Sequence, residues 1–409
     1  MTKTRFLSSI TDSEDNLIDE ALISVFHAPH SYTGEDSVEL SCHGSSYILN
    51  KVLELLVQNG CRMANPGEFT QRAFLNGKMD LSQAEAVADL IASRNKATHQ
   101  MAMNQLRGGI STELSQLRDQ LLHLTTLLEL ELDFSDHEDL EFADRTELLT
   151  LAQKIDEHIC RLIKTFETGQ ALKQGIPVAI VGKTNVGKST LLNQLVGENR
   201  AIVSDIHGTT RDTIEESIDI NGVQFRFIDT AGLRDTEDKV EQIGIERTIQ
   251  KIKQARIVIW LLDQRPSPSE MDEMDTLSKG KSSIYVHNKA DLIDLKDFIP
   301  YVLPLSLISA KKGEGIERLK KRIYEEAELA GLTNNANDII ITNARHFDSL
   351  KRAHDTLQYV LDGLHKQISG DLIAEDLRLV LSTLGEITGG TITSQETLNN
   401  IFSHFCVGK

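Results

Sequence analysis

The sequence predicts a multidomain protein: a small α+β N-terminal domain, a discontinuous α-helical domain, and an α/β domain inserted between the two helical pieces. Three observations carry this expectation. The chain has 409 residues, more than one ordinary core accommodates. Leucine and isoleucine recur at three- and four-residue spacing on both sides of a central region. Inside that region apolar runs alternate with helical sequence, beginning with PVAIV (177–181) and the glycine-rich GKTNVGKST (182–190).

Residues 1–78 form the first domain. Short β-like runs (ALISVF, 21–26; SVELSC, 37–42) stand among turn-rich pieces such as HAPHSYTGED and NPGEF. One helical run, SSYILNKVLELLVQNG, stops at Asn59-Gly60, a common C-terminal signal. Residues 79–173 then read as long helices, through LSQAEAVADLIASRNKATHQMAMNQL, ISTELSQLRDQLLHLTTLLELEL and ELLTLAQKIDEHICRLIKTF. No proline interrupts them between Pro66 and Pro177. Their leucine stripe reads as bundle core rather than as a partner groove. Residues 174–330 carry the strand-like runs PVAIV, FRFID, RIVIWLLD, SSIYVHN and VLPLSLIS, which implies a parallel sheet covered on both faces. Helical texture resumes over 331–409.

Composition excludes several classes. Forty-three Lys and Arg against 61 Asp and Glu give a net charge of −18, which argues against a chain-wide nucleic-acid surface but not against a local patch. No run of apolar residues is long enough to span a membrane, and the N-terminus lacks a signal-peptide core, so a cytoplasmic protein is expected. Cys42, Cys61, Cys160 and Cys406 lie far apart with no CxxC spacing, as free thiols in a reducing compartment would.

Gly182-x4-Gly187-Lys188-Ser189 fits the phosphate loop GxxxxGK[ST] and sits between an apolar strand and the helical STLLNQLVG. Its glycines let backbone N–H groups approach phosphate oxygens, Lys188 reaches the outer phosphates, and Ser189 offers a hydroxyl to Mg2+. Asn185, Val186 and Thr190 complete the loop. Asp229-Thr230-Ala231-Gly232 follows the strand FRFI, where Asp229 can hold the magnesium water shell. Asn288-Lys289-Ala290-Asp291 follows SSIYVH, and the Asp291 carboxylate can accept from the N1–H and N2 amino group of guanine, a donor pair adenine lacks. Ser309-Ala310-Lys311 ends the last strand, where a backbone N–H can donate to guanine O6. Four such motifs in order identify a GTP-binding domain.

Where a small GTPase carries the glutamine that orients water, this chain has Leu233, which can neither donate nor accept. Glu241 in VEQIGIER is an attractive substitute, in competition with Asp235, Glu237, Asp238 and Glu246. Arg234 reads as a solvated loop residue rather than an arginine finger. DIHGTTRD (205–212) reads as a switch loop in which Thr209 or Thr210 meets Mg2+. A monovalent cation held between Asn185 and carbonyls of that loop could supply the charge of an arginine finger; the competing reading makes Asn185 a tolerated loop residue.

SYTGEDSVEL-CHG, NPGEFTQRAFLNGKMDLSQAEAVADLI, GKTNVGKST, IVSDIHGTTRD, IDTAGLR, VEQIGIER and the terminal FCVGK together resemble the bacterial tRNA-modification GTPases of the MnmE (TrmE) family over nearly the whole length. The resemblance implies a homodimer with a folate-binding N-terminal domain. It implies an FAD-dependent partner, MnmG, and modification of carbon 5 of the tRNA wobble uridine (carboxymethylaminomethyl or aminomethyl addition) with a one-carbon unit from a formyl- or methylene-tetrahydrofolate. It further implies K+ ligation by Asn185, Ser204, Ile206 and Thr209, with Asp205, His207 and Gly208 in the same nucleotide-facing loop, Mg2+ ligation by Ser189 and Thr210, and Glu241 as the catalytic acid/base. Glu39, Lys78 and Lys409 match folate contacts, and Cys406 matches a cysteine implicated in the modification. The family pattern carries a further Gly-rich strand ahead of this chain's Met1, so an N-terminally shortened folate domain is expected. A GTP-switched ribosome-assembly or scaffold protein, and a folate-dependent transferase that uses GTP only for regulation, are the alternatives.

Overall fold

The computed structural model describes residues 4–133, 145–197, 216–228, 249–293, 304–333, 339–390, 398, 401–403 and 405. Its contacts divide into two units. Met1–Ala92, Ala102–Arg161 and Ala344–Lys409 form one; Ser93–Met101 and Leu162–Asn343 form the other.

The first unit begins with a three-stranded antiparallel sheet of β1 (Thr4–Thr11), β2 (Leu17–Phe26) and β3 (Ser37–Ser41) in that spatial order. β1 is a strand that the sequence reading did not include. Helix α1 (Ser46–Gln58) ends where Asn59-Gly60 predicts: the Asn59 side chain donates to the Leu55 carbonyl at 2.8 Å, and Gly60 takes φ 96°. Helix α2 (Glu68–Leu75) starts from Gly67, which has φ 67°. A Cβ there would lie 2.9 Å from the Phe402 carbonyl oxygen, so the turn needs glycine for both its dihedral and its space.

The stretch 81–106, read as one long helix, is two. Helix α3 (Leu81–Ala92) is followed by α4 (Lys96–Leu106), with Asn95 as the break: its Oδ1 accepts from the Thr98 N–H at 2.9 Å and starts the new helix. Gly108, at φ 85°, separates α4 from α5 (Gly109–Asp133). Short side-chain caps and glycine end helices as surely as the proline that this segment lacks. On α5 the stripe Leu114, Leu117, Leu121, Leu124 and Leu128 is buried. Helix α6 (Arg145–Gln174) repeats the spacing with Leu148, Ala152, Ile155 and Ile159, each fully buried. At about 2 kcal/mol for each fully buried leucine or isoleucine, such a stripe supplies on the order of 10 kcal/mol per helix before chain entropy is counted.

The second unit is built on a six-stranded sheet. Its elements are β4 (Ile176–Val181), α7 (Lys188–Gly197), β5 (Glu216–Ile220), β6 (Val223–Phe227), β7 (Ile257–Leu262), α8 (Pro268–Leu277), β8 (Ser282–His287), β9 (Leu305–Leu307) and α9 (Ile316–Leu329). Strand order is β5-β6-β4-β7-β8-β9, antiparallel only at β5/β6. All six residues of β7 are buried, as a central parallel strand requires. Alternation then divides its side chains. Ile257, Ile259 and Leu261 join one apolar cluster, while Val258, Trp260 and Leu262 join the other.

The chain returns to the first unit with α10 (Ala344–His365) and α11 (Gly370–Thr388). Leu350, Ala353, Leu357, Val360 and Leu364 of α10, and Ile373, Leu377, Val380, Leu384 and Ile387 of α11, are buried at the same three-four spacing. Helix α11 packs on α10, α5 and α3, so sequence on both sides of the inserted sheet closes one bundle. Arg345 secures the corner: it forks onto Glu85 at 3.0 Å through Nε and Nη2 and donates to the carbonyls of Glu386 and Ile387 at the end of α11. His346, fully buried, lies 2.7 Å from the same carboxylate. Burial pushes Glu85 up, but the His346 hydrogen bond and then Arg345 outweigh it and hold the carboxyl below its usual range.

Candidate functional site

β4, buried at five of its six positions, delivers the chain to Gly182, and α7 begins at Lys188. Gly182 takes φ 153° and Gly187 φ 102°. A Cβ on Gly182 would stand 2.2 Å from the Leu261 carbonyl oxygen, and one on Gly187 would stand 2.3 Å from Nδ2 of Asn288. Neither position admits a side chain, which is how the loop brings bare backbone to its surface. Asn185 has φ 59°, a left-handed conformation that asparagine tolerates, and its side chain is exposed. Lys188 donates from Nζ to the carbonyls of Gly182 at 2.9 Å and Lys183 at 2.7 Å. Burial, and then the charge of Lys251, holds its ammonium below the ordinary lysine range. An anion beside such a cation would favour its charged form. Ser189 is half-buried, one residue into the helix; Val186 is buried and Thr190 exposed.

The base-side motifs lie at the C-terminal ends of β8 and β9, where parallel sheets present their loops. Asn288 is 3 % exposed and bridges two loops. Its Nδ2 donates to the Val186 carbonyl at 2.8 Å, and its Oδ1 accepts from the Ala310 N–H at 2.9 Å. One amide therefore links the phosphate loop to the Ser309-Ala310-Lys311 turn. Asp291 accepts from the Ser309 hydroxyl at 2.7 Å, and that bond holds its carboxyl below the usual range, ionised and oriented. Lys289 takes φ 61° and pairs with Asp263 at 2.5 Å. Lys311 is exposed.

Other expected residues lie elsewhere. Ser204, Asp205, Ile206, His207, Gly208, Thr209, Thr210, Asp229, Thr230, Ala231, Gly232, Glu241, Cys406 and Lys409 are outside the described residues. In the first unit, Glu39 is exposed on β3 opposite Ser24, and Lys78 donates to the Pro29 carbonyl at 2.8 Å. Among the described residues no hydrogen bond or ion pair joins Glu39 to Lys78.

Sequence reasoning missed two supports. Asp263, which anchors Lys289, is the polar residue ending the apolar RIVIWLLD, and its place at a strand's C-terminal end was the available signal. Glu270 pairs with Lys183 of the phosphate loop at 2.6 Å while closing a capping box with Ser267. Lys183 first, and then the Ser267 N–H and hydroxyl, bring its carboxyl down to about 2. The Ser-x-x-Glu spacing at 267–270 signalled that box.

Comparison with known proteins gives two matches to family descriptions, "MnmE helical domain" over residues 81–406 and "GTP-binding protein TrmE N-terminus" over residues 2–78. The tRNA modification GTPase MnmE of Phocaeicola vulgatus is 57 % identical over 414 residues, spanning 98 % of this chain and 82 % of that relative. The protein of the same name from Bacteroides thetaiotaomicron is 53 % identical, spanning 97 % and 87 %. That from Flavobacterium johnsoniae is 50 % identical, spanning 100 % and 90 %. Among solved structures, the G domain of the T. maritima FeoB iron transporter is 25 % identical over 37 % of this chain and 98 % of that one, with a TM-score of 0.27, too low to support a fold comparison.

Proposed function

The chain belongs to the MnmE family of tRNA modification GTPases and hydrolyses GTP in tRNA modification; from that premise we propose that its turnover is K+-activated and serves addition of a carboxymethylaminomethyl or aminomethyl group to carbon 5 of the wobble uridine. The observation that supports the nucleotide-binding part of this reading is the coupled pair of loops: a glycine cradle closed to any Cβ, with Lys188 beside it, joined through Asn288 to a turn whose Ser309 hydroxyl holds the Asp291 carboxyl below its usual range. The cradle fits a nucleoside triphosphate, and the Asp291 carboxylate fits the paired donors of guanine.

In this proposal Ser189, Thr210 and Asp229 would hold Mg2+. Asn185, Ser204, Ile206 and Thr209 hold K+. These cations, when bound, supply positive charge to the phosphoryl group in transfer. Glu241 positions the attacking water, the role that Leu233 cannot fill. Glu39, Lys78 and Lys409 contribute to a tetrahydrofolate site within residues 1–78 and at the terminus, and Cys406 acts in the modification step. The domains divide as 1–78, 79–173, 174–330 and 331–409, and the working assembly is a homodimer with the flavoprotein MnmG and tRNA.

Two measurements test the reading. GTP turnover is compared with K+ replaced by Na+; equal rates overturn the cation assignment. Wobble-base analysis of tRNA from cells lacking this chain, and then complemented with it, tests the modification; an unchanged nucleoside profile overturns it. Glu241→Ala is expected to lose most turnover and keep nucleotide affinity. Among the described residues no helix is long and apolar enough to cross a membrane.

A further inference from the structure

Asp156 and Cys160 lie one turn apart on α6, and His354 faces them from α10. The His354 Nδ1 is 2.6 Å from Asp156 Oδ1 and 3.5 Å from Cys160 Sγ. All three donor atoms fall within 4.8 Å of one another, and all three residues are half-buried. We propose that these side chains form a binding site for a thiophilic divalent cation of the zinc class, which would tie together the two separated pieces of the helical bundle.

The donor geometry favours a metal over a catalytic relay. A cysteine–histidine–carboxylate relay uses opposite ring nitrogens, one toward the thiol and one toward the acid. Here both contacts converge on Nδ1. Tetrahedral zinc, with bonds of about 2.3 Å to sulfur and about 2.0–2.2 Å to nitrogen or oxygen, sets N···S near 3.6 Å and N···O near 3.4 Å. The sulfur already stands at that separation; the carboxylate needs to withdraw by about 0.8 Å, within reach of its own rotation. A thiolate and an imidazole select zinc-class ions over Mg2+ or Ca2+. Partial exposure leaves room for water as the fourth ligand.

The supporting positions are rigid. Ile155 and Ile159 precede the two α6 ligands and are fully buried, as are Ala353 and Leu357 around His354. The ligands thus ride on packed helices rather than on loops. On binding, Cys160 releases its thiol proton to solvent and the imidazole carries its proton on Nε2. Sulfur, nitrogen and oxygen each donate a lone pair, and nothing is oxidised or reduced. Affinity therefore rises with pH.

Chelator-treated full-length chain titrated with Co2+ tests the proposal. The expected result is saturation at one equivalent, with a near-ultraviolet thiolate-to-cobalt charge-transfer band that Zn2+ abolishes by competition. Cys160→Ser removes the band. His354→Gln weakens affinity by at least about 100-fold, since loss of even an outer-shell partner costs about 10–100-fold. Both variants keep wild-type GTP turnover, which reports that they are folded. X-ray absorption at the zinc edge on the wild type, expected to show one sulfur ligand, decides the matter should a variant fail to fold. Absence of a saturable band, a band that survives Cys160→Ser, unchanged affinity in His354→Gln, or a zinc shell without sulfur overturns the proposal.

Discussion

Replacing Asn288 by alanine deletes a side chain that joins the phosphate loop to the base-side turn. Two hydrogen bonds go, the one to the Val186 carbonyl at 2.8 Å and the one from the Ala310 N–H at 2.9 Å. Val186 and Ala310 are each 1 % exposed, so water cannot replace the lost amide without opening the site. Each buried group left unpaired costs about 1–3 kcal/mol, and the two together about 2–6 kcal/mol, against a total stability of about 5–15 kcal/mol for an ordinary domain. If half of that falls on the order of the two loops, nucleotide affinity drops by about 5- to 150-fold, since about 1.4 kcal/mol is a factor of ten. Asn288→Asp is expected to do no better, because it keeps the acceptor for Ala310 but sets an oxygen against the Val186 carbonyl. Titration with a fluorescent GDP analogue, paired with urea unfolding, reads both quantities. An Asn288→Ala protein with affinity within twofold of wild type and an unshifted urea midpoint would refute the bridging role.

Asn185→Gly keeps the left-handed backbone at φ 59° without strain and removes only the amide, so K+ stimulation of GTP turnover should vanish while nucleotide binding persists; retained stimulation assigns Asn185 to backbone geometry alone. The Glu68 carboxyl is held well below the usual range by Arg62, then by the Asn65 N–H and Arg72. A folded pKa below the unfolded one stabilises the ionised form, so this contribution is complete above pH about 4.5 and fades as pH falls through the folded value. Glu68→Gln should therefore unfold in less urea at pH 7 and lose part of the wild-type pH dependence between pH 4.5 and 3; parallel acid curves count against the assignment. Arg345→Met leaves Glu85, with a side chain 9 % exposed, without its guanidinium and uncaps two carbonyls of α11. A loss of about 3–5 kcal/mol is expected in urea unfolding, and a loss under 1 kcal/mol contradicts it.

The nucleotide loops were legible because their chemistry is local: GKTNVGKST, NKAD and SAK each carry their meaning within a few residues, and the apolar runs before them locate strand ends. The bundle stripe on α5 was legible for the same reason, since its period needs no partner to be seen. β5 was missed although Asn221-Gly222 announces its hairpin; the two residues take φ 54° and 83°, the mirror-image turn this dipeptide favours. What a single sequence could not offer is pairing at a distance. Nothing local links Cys160 to His354, or Glu85 to Arg345. Asn288 was read as a nucleotide-facing residue, and only the coordinates place both ends of its amide on neighbouring backbone.

The split origin of the bundle has a consequence for biosynthesis. The sheet unit from β4 to α9 is one contiguous stretch, and its parallel pairings can form as soon as that stretch leaves the ribosome. Helices α3 and α5 are translated earlier, yet the α11 surface that covers them is encoded only after the sheet is finished. Throughout that interval the leucine ridge of α5 lacks its α11 cover, the condition in which nascent chains meet chaperones or one another. Slow translation anywhere between the end of α5 and the end of α11 should therefore lower the yield of folded protein more than the same delay ahead of α5.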